Sequence, residues 1–193
     1  MRWPLAIVLL VVAAALDVSL SPMFSVWGTA PSLALPVVAF LALLAERRAA
    51  LWAALIAGSL ADLTDPAITG PVAPLYLLGP HALGLALGTS AVVQIRGALK
   101  KRSLLVLMTA TIAVGVLSDV VWTFVWAIRS WFPQGSVPWG DGSALGALGG
   151  ELVGTALSAC AALPIGWVLL KLMPWWSFPA TAGGARFAVA SRP

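Results

Sequence analysis

The chain has 193 residues, of which 61% are hydrophobic and only 9% are charged. A soluble domain carries about 25% charged residues because its surface faces water, so this composition excludes an ordinary soluble globule and predicts a membrane protein. The formal net charge of +4 predicts no nucleic-acid partner, because the basic residues lie in short segments between apolar runs, where membrane topology explains them.

Six apolar runs follow one another along the chain, and each is predicted to be a helix because hydrocarbon offers the backbone no hydrogen-bond partners. The predicted spans cover residues 4–20, 27–45, 49–63, 72–95, 103–128 and 143–170. The predicted fold class is therefore all-α: a polytopic membrane protein whose bundle of about six transmembrane helices occupies residues 1–172, with a cytoplasmic tail over 173–193. The second and third spans are short against the roughly 30 Å of hydrocarbon in a bilayer.

The first apolar run admits two interpretations. Arg2, the apolar stretch after it and Ala13-Ala14-Ala15 also resemble a cleavable signal peptide. Another apolar run begins almost at once, and no clear globular exported domain follows. We therefore predict that the first helix is retained.

The basic residues predict the orientation of the bundle. With six spans and a cytoplasmic N-terminus, ten of the eleven lysines and arginines fall on the cytoplasmic side, as the positive-inside rule requires. These ten are Arg2, Arg47, Arg48, Arg96, Lys100, Lys101, Arg102, Lys171, Arg186 and Arg192. Only Arg129 is left on the outer side, and both termini are predicted to be cytoplasmic.

Asp17 and Asp62 lie at the ends of the first and third predicted spans, whereas three residues, Asp119, Glu151 and His81, lie further inside their spans. Such residues are costly in lipid and usually face the bundle interior or water. Three interpretations are open: a proton or cation relay, a docking surface for a partner helix, or interhelical hydrogen bonds that only stabilise the bundle. The sequence places His81 near the middle of the fourth span, without a second metal ligand at helical spacing.

Small residues recur every four positions along the sixth span and also mark the fourth. They are Gly146, Gly150, Gly154, Ser158, Ala162 and Gly166 in the sixth span, and Gly84 and Gly88 in the fourth. Residues four apart lie on nearly one helix face, so the pattern predicts a smooth stripe that another backbone can approach closely. That backbone belongs either to the same bundle or to another membrane protein.

Motifs for catalysis are missing from the sequence, which has no P-loop, no HExxH, no G-x-S-x-G and no cysteine cluster. The single cysteine, Cys160, excludes an internal disulfide and a cysteine-based zinc site. We therefore predict a protein that is not an enzyme and that uses no cofactor and no metal.

A recognisable pattern covers residues 31–88. An apolar span from residue 31 leads into the basic turn Glu-Arg-Arg at 46–48, and the next helix ends in Ala-Gly-Ser-Leu-Ala-Asp-Leu at 57–63. Gly70 follows in the loop, before a leucine- and glycine-rich span. This pattern resembles the rod shape-determining protein MreD family, in which a Gly-x-x-x-Asp-Leu helix end precedes a glycine-marked loop.

The resemblance implies a non-enzymatic scaffold of the bacterial cell-elongation machinery, located in the cytoplasmic (inner) membrane. By the match, Gly58, Asp62 and Gly70 take the family's marked positions, where their physical roles would be close packing, capping of the loop after the helix and a permissive turn. The implied partners are membrane lipid, the membrane-anchored MreC, the glycosyltransferase and transpeptidase that extend peptidoglycan and, indirectly, the actin-like MreB.

The alternative interpretation is a transport subunit, such as the substrate-binding component of an energy-coupling vitamin transporter. Such a protein needs a small-molecule pocket near the outer face, which the acids around Asp62, Asp119 and Glu151 would line. The two interpretations differ in what the protein binds: partner membrane proteins in the first, a small molecule in the second.

Overall fold

The computed structural model describes residues 3–64, 76–99, 103–132, 137–140 and 142–176, whose regular secondary structure is helical. The long helices are α1 (Trp3–Ser19), α2 (Ala34–Leu44), α3 (Arg47–Thr64), α4 (Pro80–Ile95), α5 (Leu104–Arg129) and α6 (Ala144–Lys171). Two short elements are the 3-10 helix η1 (Ser21–Phe24) and α7 (Met173–Trp176). The prediction of an all-α fold is confirmed.

Consecutive long helices run antiparallel, which the close contacts between α4 and α5 illustrate. A methyl group at Gly84 would lie 2.8 Å from the Cα of Ser118, and one at Gly88 would lie 2.9 Å from the Cα of Val114. Residue numbers therefore rise along α4 as they fall along α5. We call the end at which α3 and α5 finish the upper end of the bundle, and the opposite end the lower end.

The short helix α2 forms the centre of the core. Ten of its eleven residues are buried, and it packs against α1, α3, α4, α5 and α6. A helix that is apolar on every side is stable only when other elements surround it. With a rise of 1.5 Å per residue, the eleven residues of α2 span about 16 Å, roughly half the hydrocarbon thickness of a bilayer.

The second predicted span was wrong at its start. It was expected from residue 27, but α2 begins at Ala34. Residues 26–29 form a tight turn in which Trp27 and Gly28 have positive φ angles of 52° and 80°, a backbone conformation that a right-handed helix does not contain.

The fourth predicted span also starts later than expected. It was predicted from residue 72, but residues 76–79 are not helical and α4 begins at Pro80. Gly79 has a φ angle of 131°, and proline suits the first turn of a helix because its missing N–H is not needed there. His81 is consequently the second residue of α4, and its expected place near the middle of that helix was wrong.

The other four long helices begin and end within two residues of their predicted spans. Among the described residues, α5 and α6 are long and apolar enough to cross a membrane, whereas α1 and α2 are shorter apolar helices. Two helices, rather than the six expected, therefore meet the length and composition of a spanning helix. Gly70 and residues 177–193 of the expected tail lie outside the described part of the chain.

Candidate functional site

The carboxylate of Asp62, in the last turn of α3, binds the beginning of α4. Oδ2 accepts the backbone N–H of Gly79 at 2.7 Å and that of Ala82 at 3.3 Å, and Oδ1 accepts the backbone N–H of His81 at 3.0 Å. The first turn of a helix leaves such N–H groups without partners inside the helix. Asp62 is only 3% exposed, so its charge faces the positive end of α4 rather than solvent.

His81 gives the same carboxylate a side-chain partner. Its Nδ1 lies 2.8 Å from Oδ1 of Asp62, and its ring centroid lies 6.0 Å from that of Trp122 in α5. The imidazole therefore sits where α3, α4 and α5 meet.

Gly58, one turn before Asp62 in α3, permits the close approach of α3 to α4. A methyl group on Gly58 would overlap the backbone of His81 and Ala82. Since only glycine leaves that space free, Gly58 allows Asp62 to reach the N–H groups of α4. Two of the three residues marked by the family resemblance thus lie at one helix–helix contact.

Asp17 binds the beginning of α2 in the same manner, although the sequence did not single it out as a site residue. Its carboxylate accepts the backbone N–H of Leu33, the backbone N–H of Ala34 at 3.2 Å and the hydroxyl of Ser32 at 3.0 Å. The bond from Ala34 to Asp17 and the bond from Gly79 to Asp62 both join residues 17 positions apart. Ser32 before an apolar run was the available signal, because serine favours helix starts.

Arg96, just after α4, binds the lower end of α2. Its guanidinium donates to the carbonyl oxygen of Ala42 at 3.2 Å and also to that of Ala45. Helix α2 therefore has a carboxylate at its positive end and a guanidinium at its negative end, both from other helices. This is the charge arrangement that stabilises a helix dipole.

The upper end of α2 lies deep inside the bundle. The backbone N–H of Ser32 donates to Oγ of Ser158 at 2.7 Å, and Ser158 is the fifteenth of the 28 residues of α6. The start of α2 is therefore level with the middle of α6, about 20 Å from the upper end of that helix. Backbone polar groups at such depth need protein partners, and Asp17 and Ser158 supply them.

Asp119 links α5 to α6, since its Oδ2 accepts the hydroxyl of Thr155 at 2.7 Å. His81 lies close enough to Asp119 to interact with it electrostatically. Glu151 is half-buried one turn before Thr155 on α6. The structure thus places His81, Asp119 and Glu151 on three adjacent helices in the upper half of the bundle, where Asp119 bonds to a residue that the sequence had not marked, Thr155.

Four of the predicted small residues of α6 pack inside the bundle. A methyl group at Gly154 would lie 2.9 Å from Cγ2 of Thr29, and one at Gly166 would overlap Leu107. Ser158 and Ala162 are buried. In this part of α6 the close approach is therefore intramolecular.

The upper part of α6 contains glycines that do not pack closely inside the bundle. Gly146 and Gly149 are exposed and Gly150 is half-buried. No described atom outside the helix backbone and the chain neighbours lies within 4 Å of a methyl group at Gly149, and at Gly150 the nearest is Oγ1 of Thr29 at 3.7 Å. We call Gly146, Gly149 and Gly150 the open glycine segment.

The chemistry at these sites is hydrogen bonding between helices. Within the described residues, no group of three His, Cys, Asp or Glu side chains is arranged to hold a metal ion. In comparisons with known proteins, no family model, no curated protein and no solved structure matches the chain.

Proposed function

We propose that this chain is a six-span protein of the bacterial cytoplasmic membrane and a non-enzymatic scaffold of the MreD type. Both termini lie in the cytoplasm, and the protein positions MreC and the peptidoglycan glycosyltransferase and transpeptidase, with MreB as an indirect partner. The pattern over residues 31–88 supports this proposal, because its marked residues Gly58 and Asp62 meet at the start of α4.

The way in which α2 is held supports the membrane location. Helix ends and irregular backbone are tolerated at membrane depth only where protein or water satisfies them. Both ends of α2 have charged side chains as partners, Asp17 at one and Arg96 at the other. The remaining long helices surround α2 and turn apolar residues such as Val8 and Leu83 outward, at 58% and 54% exposure, as a surface in contact with lipid requires.

Cysteine labelling in intact cells tests this topology. On a Cys160→Ser background, Trp27→Cys places a thiol on a residue that is 90% exposed near the upper end, and Trp175→Cys places one that is 64% exposed near the lower end. A membrane-impermeant maleimide is expected to label the first and to label the second only after the membrane is opened. Equal labelling of both variants in intact cells would contradict the topology.

The open glycine segment is the observation that carries the scaffold proposal. Helices in lipid associate through small residues that let backbones approach closely, and the rest of the stripe already serves intramolecular packing. In the open glycine segment, a methyl group at Gly149 would meet no described atom within 4 Å, and one at Gly150 would meet only Thr29. A transmembrane helix of a partner such as MreC fits this surface.

The test is co-purification of MreC with the tagged full-length chain in mild detergent. Gly149→Leu fills the open glycine segment at a position where an added Cβ meets no described atom within 4 Å, and is expected to reduce recovered MreC at least about tenfold, since close interhelical packing is lost. Gly97→Leu is the matched control, because a methyl group at Gly97 near the lower end also meets nothing within 4 Å. Undiminished MreC with Gly149→Leu would overturn the assignment of this segment.

The transport alternative predicts a different result. Its pocket would be lined by the acids around Asp62, Asp119 and Glu151, whereas the carboxylates of Asp62 and Asp119 accept hydrogen bonds from neighbouring helices. Recovery of ATPase and coupling subunits in the same co-purification, without MreC, would contradict the scaffold proposal and favour the transport subunit.

A further inference from the structure

The last two turns of α5 contain three polar side chains, each with a buried atom that has no hydrogen-bond partner among the described residues. The buried atoms are Oγ1 of Thr123, Nε1 of Trp126 and Nε of Arg129, and no described residue bonds to any of them. Trp126 is 0% exposed and Thr123 is 9% exposed. The three residues are spaced three apart, so they form one row that winds over a single side of the helix.

The face of the Arg129 guanidinium packs on an aromatic ring, but its buried Nε has no hydrogen-bond partner among the described residues. Its Cζ lies over the ring of Trp126, 5.5 Å from the ring centroid. Such stacking involves the guanidinium face and leaves the N–H groups, which lie in the plane of the group, free to donate. Among the described residues, no carboxylate lies within salt-bridge distance of Arg129.

The three groups therefore share one chemical requirement. Trp126 and Arg129 are donors without acceptor ability, and Thr123 can donate as well. A buried donor without a partner is costly, and a buried charge without a partner costs more. An anionic group with several oxygen atoms accepts hydrogen bonds from donors of this kind, and arginine binds carboxylate and phosphate groups with paired N–H bonds.

The surroundings of the row favour a phosphate that belongs to a lipid. Phe124 and Trp131, on the flanks of the same helix end, are 63% and 80% exposed, and Phe132 is 64% exposed. Exposed aromatic residues at the end of a spanning helix are typical of the level of the lipid headgroups. We propose that Thr123, Trp126 and Arg129 form a binding site for the headgroup phosphate of a phospholipid in the outer leaflet, a site that rests on the proposed membrane topology.

The indole N–H resonance of Trp126 reports on this site directly. The full-length chain, labelled with ¹⁵N on its tryptophans and held in mild detergent, is titrated with short-chain phosphatidylglycerol, and Trp126→Phe identifies the resonance. The signal is expected to move downfield as Nε1 gains an acceptor. The diacylglycerol of the same chain length, which lacks phosphate, is expected to leave the resonance in place, and inorganic phosphate is expected to do the same.

Arg129→Gln is expected to raise the phosphatidylglycerol concentration at half-maximal shift about tenfold, as loss of a hydrogen bond to a charged group does. Lys171→Gln is the matched control, because Lys171 stacks on Trp167 at 3.7 Å near the lower end and lies outside the proposed site. Since no partner protein is present, failure of the scaffold proposal does not alter this readout.

Three results would overturn the lipid site. They are a Trp126 resonance that phosphatidylglycerol does not move, an equal response in Arg129→Gln and the unaltered chain, and an equal response to inorganic phosphate. The last of these would assign the row to free phosphate instead. Circular dichroism of Arg129→Gln checks that the helices are intact.

Discussion

Oδ2 of Asp62 accepts the backbone N–H of Gly79 at 2.7 Å, and the bond joins residues 17 positions apart in the chain. The bond joins the last turn of α3 to the residue that precedes α4, and Asp62 is almost completely buried. The start of α4 is therefore fixed by a side chain from the preceding helix rather than by a capping residue of its own, since Gly79 has no side chain to cap with.

Asp62→Ala is expected to destabilise the bundle by about 2 kcal/mol, because it leaves N–H groups of the first turn of α4 without acceptors. Asp62→Asn is expected to cost less, since its amide oxygen still accepts one or two of the bonds. Unfolding by SDS in mixed micelles measures both values. The explanation fails if Asp62→Asn is as destabilising as Asp62→Ala.

The equivalent substitution at Asp17 tests whether the carboxylates of Asp17 and Asp62 have the same structural role. Asp17→Ala removes the acceptor for Leu33, Ala34 and Ser32, and a loss of about 2 kcal/mol is expected in the same SDS titration. Ser19→Ala is the control near the same end of α1, where an exposed hydroxyl bonds only to its own helix, and an effect below about 0.5 kcal/mol is expected. Similar small losses for both variants would mean that Asp17 does not hold α2.

Helices α5 and α6 were predictable because each is a long apolar run, bounded at its start by a serine that caps the helix. The starts of α2 and α4 were not. Hydropathy extends both helices backward through Trp27 and Leu78, since it records apolar character and not backbone conformation. The positive φ angle of Gly79 and the carboxylate that meets the helix start both depend on tertiary contacts.

The candidate site was predictable to a similar extent. Asp62 and Gly58 were found through their spacing in a family pattern. That pattern identifies the two residues but does not predict that they contact the start of α4. Asp17 was missed because an aspartate near the end of an apolar helix is equally typical of a helix end that faces water. Its partner Ala34 lies 17 residues further along the chain, and no local pattern connects the two.

Alanine substitutions at two glycines are expected to change the free energy of unfolding in opposite directions. Gly58→Ala would drive a methyl group into the backbone of Ala82, and we expect a loss of at least about 2 kcal/mol, as for overpacking of a tight contact. Gly149→Ala meets no described atom within 4 Å, and we expect a gain of up to about 1 kcal/mol from the better helix propensity of alanine. SDS titration distinguishes the two, and equal effects would contradict the division of glycines into packed and open positions.

The hydrogen bond between Asp119 and Thr155 is expected to be a modest structural contact between α5 and α6. A double-mutant cycle with Asp119→Asn and Thr155→Val isolates its energy. We expect a coupling of about 0.6 kcal/mol and no more than about 1.7 kcal/mol, the mean and the maximum measured for interhelical hydrogen bonds in a membrane protein. In cells, neither single variant is expected to abolish function, because the bond supports packing that many other contacts also support. Loss of function in Thr155→Val without loss of stability would instead assign Asp119 a role in a relay or in ligand binding.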